Sequence, residues 1–71
     1  MAYNIFMDYE DDVLEIIKVP SKPPVEVILG KYGIEFGLDI NNNVVKISIP
    51  EPEILFGVDI DYISNFTTTI I

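Results

Sequence analysis

Apolar and polar residues alternate along much of this chain, a pattern typical of β-strands that bury one face. Over residues 34–40 every second residue is apolar, and residues 54–60 repeat the pattern I-x-F-G-[L/V]-D-I twenty positions later. The two segments are either neighbouring strands with aligned glycines or a chance match in a chain with 13 isoleucines. In both cases the alternation predicts a strand at each segment.

Further strands fit around these two segments. Alternating residues 3–7 and a β-branched run over residues 13–19 flank residues 9–12, so the simplest interpretation is a hairpin with those four residues at its tip. Other strands are predicted to begin near Val25 and to cover residues 44–49. Turns or stiff connectors rich in Pro, Gly or Asn separate the strands at residues 20–24, 30–33, 41–43 and 50–53.

The C-terminal segment, residues 59–66, allows two interpretations. Asp59 is a residue type that caps helices, and Ile60, Ile63 and Phe66 would share one side of a short helix. A strand that continues through Tyr62 fits the same residues equally well. Residues 67–71 are β-prone and are expected to pair with a neighbouring chain or to fray.

These elements predict one mainly β domain over residues 1–71, a small antiparallel meander sheet with at most one short C-terminal helix. A chain of 71 residues buries only about 60% of the surface that it exposes when unfolded. It has no cysteine for a disulfide and no histidine for a zinc site, so its stability depends on apolar burial. A second sheet from the same chain or from a partner should cover the apolar face, and we expect homodimerisation to do so.

Charge narrows the class of partner. Twelve acidic residues stand against four lysines, with no arginine, and give a net charge of -8. Nucleic acid is therefore not an expected partner, because phosphate binding uses clustered Lys and Arg. Either the charge complements a basic protein partner, or it only keeps an apolar domain soluble. The chain also has no run long enough to span a membrane and no signal peptide, so a cytoplasmic protein is expected.

Four carboxylates within five residues mark the predicted hairpin tip. The candidate partner-binding residues are Asp8, Tyr9, Glu10, Asp11 and Asp12. The structural alternative is that Asp8 accepts backbone N–H groups in an Asx-turn, which would explain an aspartate beside a hairpin without any ligand. The chain has no His, no Cys and no G-x-S-x-G element, so we expect no enzyme activity, no catalytic residue and no cofactor.

The spacing of these carboxylates also resembles that of a calcium-binding loop. Asp8, Glu10 and Asp12 occupy positions 1, 3 and 5 of a calcium loop. However, Val13 stands at the position that requires glycine, and Val19 at the position of the bidentate glutamate. We therefore predict no metal site of this type, although a divalent-cation-binding domain that uses the carboxylates of residues 8–12 remains the alternative function.

The same stretch resembles the opening motif, roughly Y-D-x-E-x-D-x-L-Y-I, of a family of small uncharacterised prokaryotic proteins known only as a domain of unknown function. In "MDYEDDVLEI", five residues fall on the matching positions: Asp8, Glu10, Asp12, Leu14 and Ile16. Met7 replaces the usual aromatic residue and Glu15 the usual tyrosine. The later "LDINNNVVKISI" is similar to the second motif of that family, an aspartate-containing turn followed by a strand.

The resemblance covers residues 5–49 and implies a small β-rich domain without an established activity. Some members of the family are encoded beside toxin-like proteins, which implies an antidote role. The sequence therefore predicts an acidic β-rich interaction module, dimeric, that neutralises or assembles with a basic protein.

Overall fold

The structure is a computed structural model that describes residues 2–64 and 69–70. Its strands are β1 (Ala2–Asp8), β2 (Val13–Val19), β3 (Glu26–Leu29), β4 (Glu35–Leu38), β5 (Val44–Pro50) and β6 (Thr69–Ile70). The helices are α1 (Pro52–Phe56) and α2 (Ile60–Ser64), and a 3₁₀ turn covers Lys31–Gly33. The prediction of a mainly β fold with an antiparallel sheet is confirmed.

The sheet has six strands in the order β3-β4-β5-β2-β1-β6. β5 pairs with β2, and this pairing joins the hairpin β1–β2 to the antiparallel series β3–β4–β5. Among the described strands only β6 pairs in parallel, and its partner is β1. Residues 20–25 therefore lead from the end of β2 to the far edge of the sheet, about 14 Å away at three strand spacings. Six extended residues reach about 20 Å, so the proline-rich loop is long enough.

The core lies on one face of the sheet. Met7 on β1 is opposite Leu14 on β2, which in turn is opposite Ile49 on β5. These three side chains are buried together with Ile63 of α2, and Met7 is fully shielded from solvent. Val58, between the helices, packs against the same cluster. Two short helices of the same chain thus cover part of the apolar face that was expected to need a second sheet or a partner.

The strand predicted over residues 54–60 is wrong. These residues form most of α1, a connection and the start of α2, so the two I-x-F-G-[L/V]-D-I segments are not paired strands. Pro52 occupies the beginning of α1, where its fixed φ and missing N–H are harmless. Gly57 ends the helix at a φ of 68°, a conformation that favours glycine.

The C-terminal segment follows the helical interpretation. The backbone N–H groups of Tyr62 and Ile63 both donate to the carbonyl oxygen of Asp59, at 3.0 and 3.3 Å, which closes the first turn of α2. Phe66 lies outside the described residues. Of residues 67–71 only Thr69 and Ile70 are described, and they pair in parallel with β1 of the same chain. Among the described residues, no helix is long and apolar enough to cross a membrane.

Candidate functional site

The predicted hairpin tip is present. Asp8 at the end of β1 is the partner of Val13 at the beginning of β2, so residues 9–12 form a four-residue loop. Asp8 Oδ1 accepts hydrogen bonds from the backbone N–H groups of Glu10 at 3.0 Å and of Asp11 at 3.1 Å. The Asx-turn is confirmed, and the sequence places an aspartate there for a structural reason.

The four carboxylates of the tip have different environments. Asp8 is half-buried and its Oδ1 is occupied by the turn, whereas Glu10 and Asp11 are exposed. Asp12 is half-buried and has a φ of 55°, in the left-handed region that aspartate tolerates better than most residues. Tyr9 is also exposed. The groups most available to a partner are therefore the side chains of Tyr9, Glu10 and Asp11.

Two glutamates from the far end of β5 join the tip. Val13 is opposite Pro50, so the chain that leaves β5 passes directly beside the loop. The N–H of Glu51 donates to the carbonyl oxygen of Asp12 at 2.7 Å. Glu53, in the first turn of α1, lies against the Asp12 carboxyl group. In the sequence these glutamates belong to a predicted connector, and only the pairing of β2 with β5 reveals that they adjoin the tip.

The result is one end of the sheet with a high density of negative charge, here called the acidic end. Its six members are Asp8, Glu10, Asp11, Asp12, Glu51 and Glu53. They are half of the twelve acidic residues in the chain. The acidic end therefore extends beyond the predicted cluster to a second element, α1.

The carboxyl groups of Asp12 and Glu53 influence each other directly. A side-chain hydrogen bond with Asp12 raises the pKa of Glu53, and partial burial and the negative charges of Asp12 and Glu51 raise it further. Glu53 Oε2 is shielded from water and no N–H or hydroxyl group of the described residues donates to it. A hydrogen bond between two carboxyl groups needs a proton on one of them, so the contact with Asp12 favours the protonated form of Glu53.

Positive charge is scarce at this end. Within the described part of the chain, Lys46 Nζ forms an ion pair with Glu15 Oε2 at 2.8 Å, in the middle of the sheet. Lys18 and Lys22 lie at the opposite end, where β2 finishes. Lys31, in the 3₁₀ turn between β3 and β4, is the lysine on the same side as the acidic end. Among the described residues, little positive charge therefore offsets the negative charge at this end.

The carboxylates do not converge as metal ligands do. Among residues 2–64 and 69–70, no group of three or more His, Cys, Asp or Glu side chains is arranged to hold a metal ion. Asp8 Oδ1, the first ligand of the calcium-loop alternative, already accepts two backbone hydrogen bonds.

A second Asx-turn closes the opposite end of the sheet. Asp39 Oδ1 accepts the N–H groups of Asn41 at 2.8 Å and of Asn43 at 2.9 Å, and its Oδ2 is 3.4 Å from the Asn43 amide nitrogen. The N–H of Asn43 contributes most to lowering the pKa of Asp39 below its ordinary value of 3.8. This aspartate therefore has a structural role, and the predicted turn over residues 41–43 is confirmed.

An apolar cavity of about 270 Å³ lies between the sheet and the helices. Ile5, Ile16, Phe56 and Tyr62 contribute to its walls, together with the core residues Leu14 and Ile63. Its lining is apolar, and it adjoins the core cluster at Leu14 and Ile63.

No family model, curated protein or solved structure matches this chain. The resemblance of residues 5–49 to the uncharacterised prokaryotic family thus stays a prediction.

Proposed function

We propose that this protein is an acidic interaction module that binds a protein partner with a basic surface through the acidic end. The observation that carries the proposal is that six carboxylates, from the β1–β2 hairpin and from the segment after β5, lie at one end of the sheet, with one lysine on that side among the described residues. Opposite potentials steer two proteins together and fix their relative orientation. The Asp8 turn supports this role because it presents Glu10 and Asp11 on a loop that is already ordered.

The partner is proposed to be a basic protein that this module neutralises or assembles with, as the antidote role implied by the family resemblance suggests. Lysine and arginine side chains of the partner would contact the exposed carboxylates of Glu10, Asp11 and Glu51. The raised pKa of Glu53 supports the proposal further. A cationic group placed beside Glu53 would favour its ionised form, so binding and proton release would be coupled.

The test is capture of the tagged protein's partner from its native lysate, followed by affinity measurements with the purified partner at low and high salt. Glu10→Gln combined with Asp11→Asn removes two exposed charges of the acidic end. Glu26→Gln combined with Asp59→Asn is the matched control, because it removes one exposed glutamate at the opposite end of the sheet and one exposed aspartate outside the acidic end. Each variant changes the net charge equally, so any difference between them reflects position.

We expect the acidic-end variant to weaken binding about 5- to 30-fold and to reduce the salt dependence, since each exposed interfacial charge contributes about 0.5–1 kcal/mol. The control variant should bind nearly as tightly as the unchanged protein. Equal losses in both variants, or none in either, would show that the acidic end is not the binding surface.

Divalent-cation binding by the carboxylates of residues 8–12 is the competing function. A ligand that binds only the folded state raises the midpoint of thermal unfolding. Under the interaction proposal, millimolar calcium, magnesium or manganese leaves that midpoint unchanged. A rise that disappears in the Glu10→Gln, Asp11→Asn variant would favour the cation-binding function instead.

A further inference from the structure

Strand β3 forms an outer edge of the sheet and is apolar and exposed. Val27, Ile28 and Leu29 have exposed fractions of 59%, 47% and 70%. Glu26 is the only charged residue of the strand, and the strand contains neither a proline nor a lysine. Edge strands of monomeric proteins usually carry such residues, because an unprotected edge pairs readily with another strand. β3 thus has the features of an edge strand that pairs with a strand of another chain.

The register shows which backbone groups of β3 are available. β3 pairs antiparallel with β4, with Leu29 opposite Glu35 and Ile28 opposite Phe36. One residue beyond the strand, the N–H of Gly30 donates to the carbonyl oxygen of Ile34 at 2.6 Å. Hydrogen-bonded and non-hydrogen-bonded pairs alternate in such a ladder, so Gly30 and Ile28 face β4. The N–H and C=O groups of Val27 and Leu29 therefore point away from the sheet.

We propose that β3 pairs with β3 of a second copy of this chain to form a homodimer with one continuous sheet. In the antiparallel register that fits the outward groups, Val27 is opposite Leu29 of the second copy, and Ile28 is opposite its own counterpart. Each Val27–Leu29 pair exchanges two backbone hydrogen bonds. A two-fold axis through Ile28 produces both pairs, so the edge is complementary to itself.

The charges beside β3 also favour a second copy of this chain as the partner of this edge. In this register Glu26 is opposite Gly30 of the second copy, and Lys31 of that copy is the next residue, at the start of the 3₁₀ turn, so the two opposite charges lie at the same end of the paired strands. The same arrangement is repeated on the other side of the axis, and the two Glu26 side chains are kept well apart. Glu26 and Lys31 are both exposed, and neither makes an ion pair with another described residue. The proposed interface thus provides each of them with a partner of opposite charge.

The net charge of -8 on each chain opposes association, and the register limits that repulsion. Because the two β3 strands run in opposite directions, the acidic end of one copy lies beside the proline-rich end of the other. The two acidic ends are therefore at opposite ends of the combined sheet. A parallel arrangement would place them side by side, so the antiparallel register is also preferred on electrostatic grounds.

The test is sedimentation equilibrium of the purified chain from about 1 µM to 1 mM. We expect a reversible monomer–dimer equilibrium. Leu29→Pro removes an N–H group that points outward and leaves the hydrogen bonds between β3 and β4 intact, a position where edge strands accept proline. This variant should raise the dimer dissociation constant by about tenfold or more, with an unchanged far-UV circular dichroism spectrum.

Charge reversal identifies the second copy as the occupant even if Leu29→Pro disturbs folding. Glu26→Lys and Lys31→Glu should each weaken the dimer by about threefold, and the double variant should restore it to within about twofold. Glu35→Lys is the matched control, because it makes the same charge change on the neighbouring strand and should leave dimerisation nearly unchanged. A chain that stays monomeric at the highest concentration overturns the proposal. So does a dimer that is insensitive to Leu29→Pro and to the single reversals.

Discussion

The turn at Asp8 gives the sharpest test of how the sequence builds the acidic end. Asp8→Ala removes the oxygen that accepts the N–H groups of Glu10 and Asp11 at 3.0 and 3.1 Å. Asp8→Asn keeps an acceptor oxygen in the same position and removes only the charge. The pair of variants therefore separates the hydrogen-bonding role of this residue from its contribution to the negative potential.

The size of the effect follows from the two bonds. Each is exposed to solvent, and such a bond contributes about 0.5–1 kcal/mol, so Asp8→Ala should lower the free energy of unfolding by about 1–2 kcal/mol. Asp8→Asn weakens both bonds, because the acceptor is no longer charged, but it also relieves repulsion from the neighbouring carboxylates. We expect these effects to offset each other to within about 0.5 kcal/mol.

Urea unfolding followed by far-UV circular dichroism measures both variants. With a slope of about 1 kcal/mol per molar urea for so small a domain, Asp8→Ala should shift the midpoint down by about 1–2 M. All samples are compared at one protein concentration, because dimerisation would make stability depend on it. Asp11→Ala is the control, since it removes a neighbouring carboxylate that accepts no hydrogen bond in the turn.

Two outcomes would refute this reasoning. If Asp8→Asn destabilises the protein as much as Asp8→Ala, the charge rather than the turn geometry is what matters. If Asp11→Ala has the same effect as Asp8→Ala, the loss comes from a general property of the tip.

Two further predictions concern pH and are measured by thermal unfolding at a series of pH values. The pKa of Glu53 is raised above its ordinary value of 4.5, so its stabilising contribution is present at low pH and is lost as pH rises through the raised pKa. Glu53→Gln should therefore be more stable than the unchanged protein at pH 7; lower stability there would contradict the assignment. The pKa of Asp39 is lowered, so the stabilising contribution of its carboxylate is present at neutral pH and is lost as pH falls below 3.8. The difference in stability between Asp39→Ala and the unchanged protein should therefore be greatest at neutral pH and decrease below pH 3.8. A difference that does not change with pH would contradict this.

Local patterns predicted those parts of the fold that depend on neighbouring residues. The hairpin over residues 2–19 follows from two apolar runs around a short polar loop, and the Asx-turn follows from the chemistry of one aspartate. Helix α1 replaces the strand predicted over residues 54–60, although its local signals are present in the sequence. Pro52 at its start and Gly57 at its end mark a short helix, whereas the alternation of apolar residues over 54–60 favours a strand.

The remaining features depend on pairing between distant parts of the chain. Nothing near Glu51 and Glu53 indicates that they adjoin Asp12, because their position is a consequence of Val13 lying opposite Pro50. The exposed edge at β3 is likewise visible only once β5 is seen to pair with β2, which moves β3 to the outside of the sheet. Periodicity predicts strands, but it does not predict their order.

The proposed dimer through β3 determines how partners can bind at the two acidic ends. In the proposed dimer the acidic ends lie at opposite ends of the combined sheet, so one basic partner of ordinary size cannot contact both. Each acidic end should therefore bind its own partner, two per dimer, with the affinity of a single site and without the gain that linked sites provide. Dimerisation would then cover an exposed apolar edge without strengthening partner binding. The β3 edge and the acidic end can accordingly be altered independently, which is why Leu29→Pro and the Glu10, Asp11 substitutions separate the two proposals.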